Sequence, residues 1–180
     1  MGEEALFNRY AVALVELSVE RHKEVEYRKT VKVLKNILKE NKEFSAILSD
    51  PNYSLKDKYK LIDKVFVNVQ KDITSFIKII INNGRAFYLY DIFKETLFRF
   101  DDFLQIEEGE IYLAEDMSDE DIDKIRLAIE KDIGKKVELD KVIDPSLIGG
   151  FKVKLKDGVY DSSISTKITK LRNTLINGGK

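Results

Sequence analysis

The feature that most constrains the fold of this chain is a change in its hydrophobic period near Glu107-Glu108-Gly109. Before this point, apolar residues recur at steps of three and four, which is typical of amphipathic helices. After it, Ile111 and Leu113 alternate with Tyr112 and Ala114, which is typical of a half-buried strand. A single change of this kind predicts a helical part followed by a part that contains β-strands.

The helical part carries six apolar stripes, and each stripe predicts one helix. The breaks between them have local causes: Asp50-Pro51 ends the third helix, Ser54 with Asp57 caps the fourth, and Asn82-Asn83-Gly84 ends the fifth. Six helices with short connections bury their stripes most simply as an antiparallel bundle. In chain order the stripes are Leu6, Tyr10, Ala13, Leu14 and Leu17; Val31, Leu34, Ile37 and Leu38; Phe44, Ile47 and Leu48; Tyr59, Ile62, Phe66 and Val69; Ile73, Phe76, Ile77, Ile80 and Ile81; and Leu89, Ile92, Phe93, Leu97, Phe100 and Phe103.

The part after the change predicts one strand, one helix, a second strand, a hairpin and a last helix. Ser118 caps the first of these helices and Gly134 ends it, with Ile122, Ile125, Ile129 and Ile133 as its stripe. Val137 and Leu139 indicate the second strand. Phe151, Val153 and Leu155 alternate up to Asp157-Gly158, a dipeptide that favours a two-residue hairpin turn into Val159-Tyr160.

The last predicted helix carries the stripe Ile164, Ile168, Leu171 and Leu175, and residues 177–180 are expected to fray. The predicted fold class is therefore α+β. A six-helix bundle is expected over residues 1–106 and a small mixed α/β domain over residues 107–180.

Composition excludes several classes of protein. The chain has no cysteine, so thiolate nucleophiles, disulfides and cysteine-ligated metals are absent. Its 31 basic and 32 acidic side chains give a net charge of −1, which provides no global attraction to nucleic acid. The most apolar stretch, residues 76–81, contains Lys78 and is far shorter than the roughly 20 residues of a membrane-spanning helix. The acidic start, Met1-Gly2-Glu3-Glu4, is unlike a secretory signal, and we expect a cytosolic protein without direct membrane insertion.

The residues that could carry chemistry favour structural interpretations. His22, the one histidine, lies in a charged segment typical of a surface. The acidic segment 107–123 lacks the ligand spacing of a calcium loop and is expected to be solvated. Gly149-Gly150 precedes a strand, which indicates a tight bend and argues against a phosphate cradle. We predict no catalytic, cofactor-binding or metal-binding residues, and a protein-binding adaptor.

Longer motifs resemble one family. In the second part these are Gly134-Lys135-Lys136-Val137 and the stretches 143–153 and 157–164; in the first part they are 9–14 and 81–85. Together they resemble the delta subunit of bacterial F-type ATP synthase, the family of the mitochondrial oligomycin-sensitivity-conferring protein. Serine at 162 and lysine at 156 stand where that family has glycine. The motif residues of the second part are Asp144, Pro145, Ser146, Gly149, Gly150, Asp161 and Ser163.

The resemblance implies a non-catalytic stator subunit in the peripheral stalk of a rotary, proton-translocating ATP synthase, on the cytoplasmic face of the bacterial plasma membrane. It implies that the helical domain receives the N-terminal helix of an alpha subunit between its first and fifth helices, and that the second domain binds the C-terminal end of the b subunit. No cofactor is implied. The candidate groove residues on those two helices are Tyr10, Ala13, Leu14, Phe76, Ile79 and Ile80.

Two interpretations from other classes are kept as alternatives. The first is a nucleic-acid-associated helical adaptor, which steep salt dependence of binding would reveal. The second is a carboxylate-dependent enzyme, which would need a deep pocket with perturbed acids.

Overall fold

A computed structural model describes residues 2–177 of the chain, and their side chains through residue 174. This described part is mixed α+β, with eight α-helices and one four-stranded sheet. The chain divides into two compact units, Met1–Leu104 and Gln105–Lys180. In the described part, no helix combines the length and the apolar character needed to cross a membrane. The predicted fraying of residues 178–180 and the predicted burial of Leu175 lie outside what is described.

The first unit contains six α-helices and a short 3-10 turn. Most of the predicted ends are observed: Ser54 caps α4 by accepting a hydrogen bond from the Asp57 backbone N–H at 3.2 Å, and Gly84 follows α5 with φ +69°. The 3-10 turn at Ala86–Tyr88 was not predicted. The helices are α1 (Glu3–Glu20), α2 (Glu24–Glu40), α3 (Lys42–Ser49), α4 (Leu55–Val65), α5 (Lys71–Asn82) and α6 (Leu89–Leu104).

One apolar cluster holds these helices together, and four of the predicted stripe residues lie outside it: Ala13, Ile37, Ile47 and Phe103. Ala13 is exposed, and Ala11 is buried instead, because the buried face of α1 is set by Tyr10, Leu14 and Ser18 at steps of four. Ile47 and Phe103 are exposed as well. The cluster is formed by residues that include Leu14, Tyr27, Val31, Leu34, Leu48, Ile62, Ile73, Ile77, Ile80, Leu89, Ile92, Phe93 and Phe100.

A charged pair is enclosed in the same core. Arg28 on α2 is 1% exposed, and its Nε lies 2.5 Å from Oδ1 of Asp101 on α6. A buried guanidinium needs such a partner, because an uncompensated charge in the interior is strongly destabilising. Hydrophobic periodicity gives no sign of this residue, so the pair was not predicted.

The second unit is built around a sheet with the order β2-β1-β3-β4. Strand β1 runs parallel to β2 and antiparallel to β3, and β3 is antiparallel to β4. Helix α7 connects β1 to β2. Side chains of the sheet and of α7 form one apolar cluster, centred on Ile111, Leu113, Ile129 and Val153. The elements are β1 (Ile106–Leu113), α7 (Asp119–Ile133), β2 (Lys136–Ile143), β3 (Phe151–Leu155), β4 (Val159–Asp161) and α8 (Ile164–Asn177).

The β3–β4 hairpin turns one residue earlier than predicted. The Leu155 N–H donates to the Gly158 carbonyl at 2.8 Å, so Lys156 and Asp157 are the two central residues of the turn. Glu107 on β1 holds the turn there, because its Oε1 accepts a hydrogen bond from the Lys156 N–H at 3.2 Å. Gly158 does not have the positive φ that the predicted turn requires.

Candidate protein-binding surfaces

Helices α1 and α5 run antiparallel, and polar contacts join them at both ends of α5. At one end the Tyr10 hydroxyl accepts hydrogen bonds from Asn83 Nδ2 at 2.9 Å and Arg85 Nη1 at 3.1 Å. At the other end Arg21 Nε lies 3.5 Å from Oδ2 of Asp72. These contacts fix the spacing of the two helices over about three turns.

Asp72 also accepts a hydrogen bond at 2.6 Å from the hydroxyl of Tyr27 on α2. Burial, followed by this hydrogen bond to a carboxylate, raises the pKa of Tyr27 to about 12. The phenol therefore stays protonated near neutral pH and acts as a donor. It ties the first turn of α5 to the core.

The six candidate groove residues differ in burial and fall into three pairs. Leu14 and Ile80 are fully buried in the helical core. Tyr10 and Phe76 are nearly buried and pack edge to face, with ring centroids 6.0 Å apart. Ala13 is exposed, and Ile79 is 55% exposed. Only the last two residues present substantial surface, while the other four form the layer beneath them.

The motif residues of the second unit build two similar turns. Asp144 Oδ1 accepts hydrogen bonds from the Ser146 N–H at 3.0 Å and the Ser146 hydroxyl at 2.6 Å. Asp161 Oδ1 accepts from the Ser163 N–H at 3.0 Å and the Ser163 hydroxyl at 2.7 Å. In both turns an aspartate binds the backbone two residues further on, a local alternative to helix or sheet hydrogen bonds.

The charge of both aspartates is stabilised by these bonds. The Ser163 hydroxyl, then its backbone N–H, lower the pKa of Asp161 to about 2, with smaller help from Thr166 and Lys152. The Ser146 hydroxyl and N–H likewise lower the pKa of Asp144. Both groups are therefore ionised acceptors at neutral pH, which suits turn formation and does not suit proton transfer.

The two turns meet at Gly149-Gly150. The Ile164 N–H donates to the Gly149 carbonyl at 2.9 Å, and Gly150 adopts φ +78° with its Cα against the Ser162 backbone. A Cβ at position 150 would lie 2.5 Å from the Ser162 carbonyl oxygen. This close approach matches the predicted tight bend, and it explains why the motif contains glycine.

The other residues considered for chemistry lie in structural or solvent-exposed positions. Among residues 2–177, no cluster of three or more acidic or histidine side chains is arranged to hold a metal ion. His22 is exposed, in the turn after α1. Glu107 departs from the expectation of a solvated acidic segment: it is buried, and its Oε2 lies 3.6 Å from Lys135 Nζ. Its place under the β3–β4 turn accounts for the burial.

A family model described as ATP synthase delta (OSCP) subunit matches residues 6–175. The chain belongs to this family. A delta subunit of ATP synthase from Halalkalibacterium halodurans is 28% identical over 180 residues, covering 99% of this chain and 98% of its own. A delta subunit from Mycoplasma mobile is 30% identical over 168 residues, covering 93% of each chain.

A solved structure gives the same fold. A chain in the Toxoplasma gondii mitochondrial ATP synthase hexamer superposes with a TM-score of 0.63 at 16% identity, over 95% of this chain and 97% of that one. The chain is a non-catalytic, peripheral-stalk subunit of ATP synthase, as the motifs predicted.

Proposed function

We propose that this delta-family chain joins the catalytic head to the b subunits through two separate attachments. Its residues 1–106 act as a six-helix bundle that receives the N-terminal helix of an alpha subunit. Its residues 107–180 act as a small α/β domain that binds the C-terminal end of the b subunit. The assembly lies at the cytoplasmic face of the bacterial plasma membrane.

The observation that carries the first attachment is the exposure of Ile79 beside a small residue. Ala13 follows Tyr10 by about one turn on α1, and Ser75 precedes Ile79 by about one turn on α5. Both short side chains are exposed, as Ile79 is. An amphipathic helix can pack its apolar stripe against Ile79, beside the Tyr10–Phe76 pair.

The depth of the surface supports helix docking. A helix-in-groove contact gains most from a few apolar anchors packed against a rigid floor. The floor here is rigid, because Leu14 and Ile80 beneath it are fully buried and Tyr10 is held by two hydrogen bonds. The anchor is Ile79, whose side chain is shielded from solvent only when a partner covers it.

Two attachments also suit a joint that carries load. When two modules bind linked parts of one assembly, the second binding event is intramolecular, and the gain in avidity is about 10² to 10⁴. Each surface can therefore be modest in area while the connection as a whole remains tight. This arrangement needs no chemistry from the chain itself.

The variant Ile79→Asp tests the attachment to the alpha subunit. It removes an apolar anchor and leaves an unpaired charge at the contact, which costs about 3 kcal/mol of binding free energy, or roughly a hundredfold in affinity. Calorimetric titration of the full chain with a peptide from the N-terminus of the alpha subunit measures the change. Because Ile79 is exposed in the free chain, the variant is expected to fold normally.

The matched control is Val33→Asp, at an apolar position on α2 that is 57% exposed. We expect this variant to keep wild-type affinity. Equal affinity of the Ile79→Asp and wild-type chains for the peptide would refute the site. An equal loss of affinity in Ile79→Asp and Val33→Asp would mean that the added charge weakens binding without contacting the peptide.

A further inference from the structure

The turn that ends α5 contains a chemically labile dipeptide, Asn83-Gly84. In such a dipeptide the backbone nitrogen of the glycine can attack the side-chain amide of the asparagine, because glycine has no side chain to hinder the approach. This spontaneous reaction, deamidation, converts the asparagine to an acid. Both residues are exposed, so water reaches the groups that would react. The dipeptide is therefore a candidate modification site.

The backbone of Asn83 is held in a conformation that prevents the attack. Ring closure requires the Gly84 nitrogen and the Asn83 Cβ to lie on the same side of the Cα–C bond of Asn83. The observed ψ of 6° places the Gly84 nitrogen almost in line with the backbone nitrogen of Asn83. Because Cβ is a different substituent of the same Cα, it is turned away from the Gly84 nitrogen, and the reaction requires a large rotation of ψ.

Two backbone hydrogen bonds oppose that rotation. The Gly84 N–H donates to the Ile81 carbonyl at 2.9 Å, and the Arg85 N–H donates to the Ile80 carbonyl at 3.0 Å. Together they form a Schellman motif, in which the glycine takes the left-handed conformation, here with φ +69°. Rotation about ψ of Asn83 moves both N–H groups away from their acceptors. The Gly84 N–H is also the group that must lose a proton in the reaction.

The Tyr10 hydroxyl holds the side chains on both sides of Gly84. It accepts a hydrogen bond from Asn83 Nδ2 at 2.9 Å and another from Arg85 Nη1 at 3.1 Å. Tyr10 is 8% exposed and its ring packs against Phe76, so the position of the hydroxyl is fixed by the core. The atom that would leave during deamidation, Nδ2, is thus tied to α1 while the backbone around it is tied to α5.

We propose that Asn83-Gly84 is a deamidation site that the Tyr10 hydroxyl protects in the folded chain, and that modification there weakens the junction of α5 with α1. When the turn opens, hydroxide removes the proton of the Gly84 N–H, and this nitrogen forms a bond to Cγ of Asn83. The Cγ–Nδ2 bond breaks, and Nδ2 takes a proton from water and leaves as ammonia. Water then opens the cyclic imide at either carbonyl, which gives aspartate or isoaspartate. No oxidant or reductant takes part.

The product is incompatible with the contacts of this turn. An aspartate at position 83 has no N–H to donate to the Tyr10 hydroxyl. Its negative charge also lies at the C-terminal end of α5, where the helix dipole disfavours it. An isoaspartate lengthens the main chain by one methylene, which moves Gly84 and Arg85 relative to the carbonyls that they bind. Either product therefore weakens the link between Tyr10 and the end of α5.

The reaction at Asn83 is measured by incubating the full chain at mildly alkaline pH, followed by protease digestion and mass spectrometry. We expect the native chain to react about a hundredfold more slowly than the chain in guanidinium chloride, because the hydrogen bonds of the turn must break first. Asn177-Gly178, the second asparagine–glycine pair of the sequence, calibrates the reactivity of the dipeptide in guanidinium chloride. Equal rates at Asn83 in the native and denatured chains would overturn the proposal.

The role of Tyr10 is tested with Tyr10→Phe, which keeps the ring and removes the hydroxyl. We expect deamidation of Asn83 in the native variant to be about tenfold faster than in the wild type, since two hydrogen bonds are lost. The matched control is Tyr88→Phe, which removes a hydroxyl that donates to Oε1 of Glu3 on α1 at 2.9 Å. The control should react like the wild type. A wild-type rate in Tyr10→Phe would refute the protection.

Hydrogen exchange separates local opening of the turn from a general loss of stability. In Tyr10→Phe we expect the amides of Gly84 and Arg85 to lose protection, while the amides of Val31 and Leu34 in the core of α2 keep theirs. An equal loss of protection at the turn and in α2 would show that global unfolding exposes Asn83. That result would overturn the specific role of Tyr10, even if deamidation became faster.

Asn83→Asp tests the effect of the modification itself. We expect the amides of Gly84 and Arg85 to exchange about fivefold faster than in the control Asn82→Asp, because only the first variant removes a hydrogen bond to Tyr10. Asn82 is the exposed last residue of α5, so the control puts the same charge at the same end of the helix. Equal exchange rates in the two variants would show that deamidation leaves the junction of α5 with α1 intact, contrary to the proposal.

Discussion

The glycine at 150 offers the sharpest test of the account of the motif. Its backbone has φ +78°, which disfavours any side chain, and an added Cβ would overlap the Ser162 carbonyl oxygen at 2.5 Å. Gly134, at the end of α7, has nearly the same φ of +71°, but a Cβ there meets nothing within 4 Å. Substituting alanine at each position therefore separates the conformational cost from the steric cost.

The expected magnitudes follow from these two terms. A left-handed conformation costs an alanine about 1 to 2 kcal/mol, and this is the whole effect at position 134. At position 150 the backbone must also shift to relieve the overlap, which adds about 1 to 3 kcal/mol. Gly150→Ala should therefore lower the free energy of unfolding of the second unit by about 2 to 5 kcal/mol, a large part of the stability of a small domain.

Hydrogen exchange measures this quantity in the full chain, which has no tryptophan to report unfolding by fluorescence. The slowest-exchanging backbone amides of β1 report global opening of the second unit in both variants. Equal losses of protection in Gly134→Ala and Gly150→Ala would show that the contact with Ser162 contributes nothing, and the structural explanation of the motif would fail.

Two further predictions concern charged groups. Asp101→Ala leaves the buried Arg28 without its closest carboxylate and should lower the free energy of unfolding of the helical unit by about 3 to 5 kcal/mol, measured by urea denaturation followed by circular dichroism. The double variant Arg28→Met with Asp101→Leu should lose much less. Because folding lowers the pKa of Asp161 from 3.8 to about 2, its charge stabilises the fold above pH 3.8, and this contribution disappears as the pH falls toward 2. In Asp161→Asn, protection of the α8 first turn should already be reduced at pH 7 and should depend less on pH in that window.

The helix and strand order could be predicted because it depends on local periodicity. Stripes at steps of three and four gave the α-helices, and the alternation at Ile111 and Leu113 gave β1. Features that depend on a distant partner could not be predicted this way. The buried Arg28 requires Asp101, 73 residues away, and the position of the hairpin turn requires Glu107 from another strand.

The candidate surfaces show the same difference between local features, which periodicity predicts, and features that depend on a distant partner. Ile79 could be identified because α5 is apolar on more than one face, and one of those faces must point away from the core. The depth of Leu14 and Ile80 could not be read from spacing, since a stripe does not reveal which of its members a neighbouring helix covers. The exposed α8 stripe was predicted to be buried for the same reason: periodicity identifies an apolar face without identifying what packs against it.

The Asp161 turn connects the motif to the start of helix α8. Ser163, held by Asp161, accepts a hydrogen bond from the Thr166 N–H at 3.2 Å and so fixes the first turn of α8, while the helix beyond it is exposed. Such an anchor matters for a short helix, because forming the first turn is the costly step of helix formation. The motif therefore holds the start of α8 and sets its direction. Loss of the anchor in Asp161→Asn should accordingly reduce the protection of α8 amides from hydrogen exchange, while the amides of β1 keep theirs.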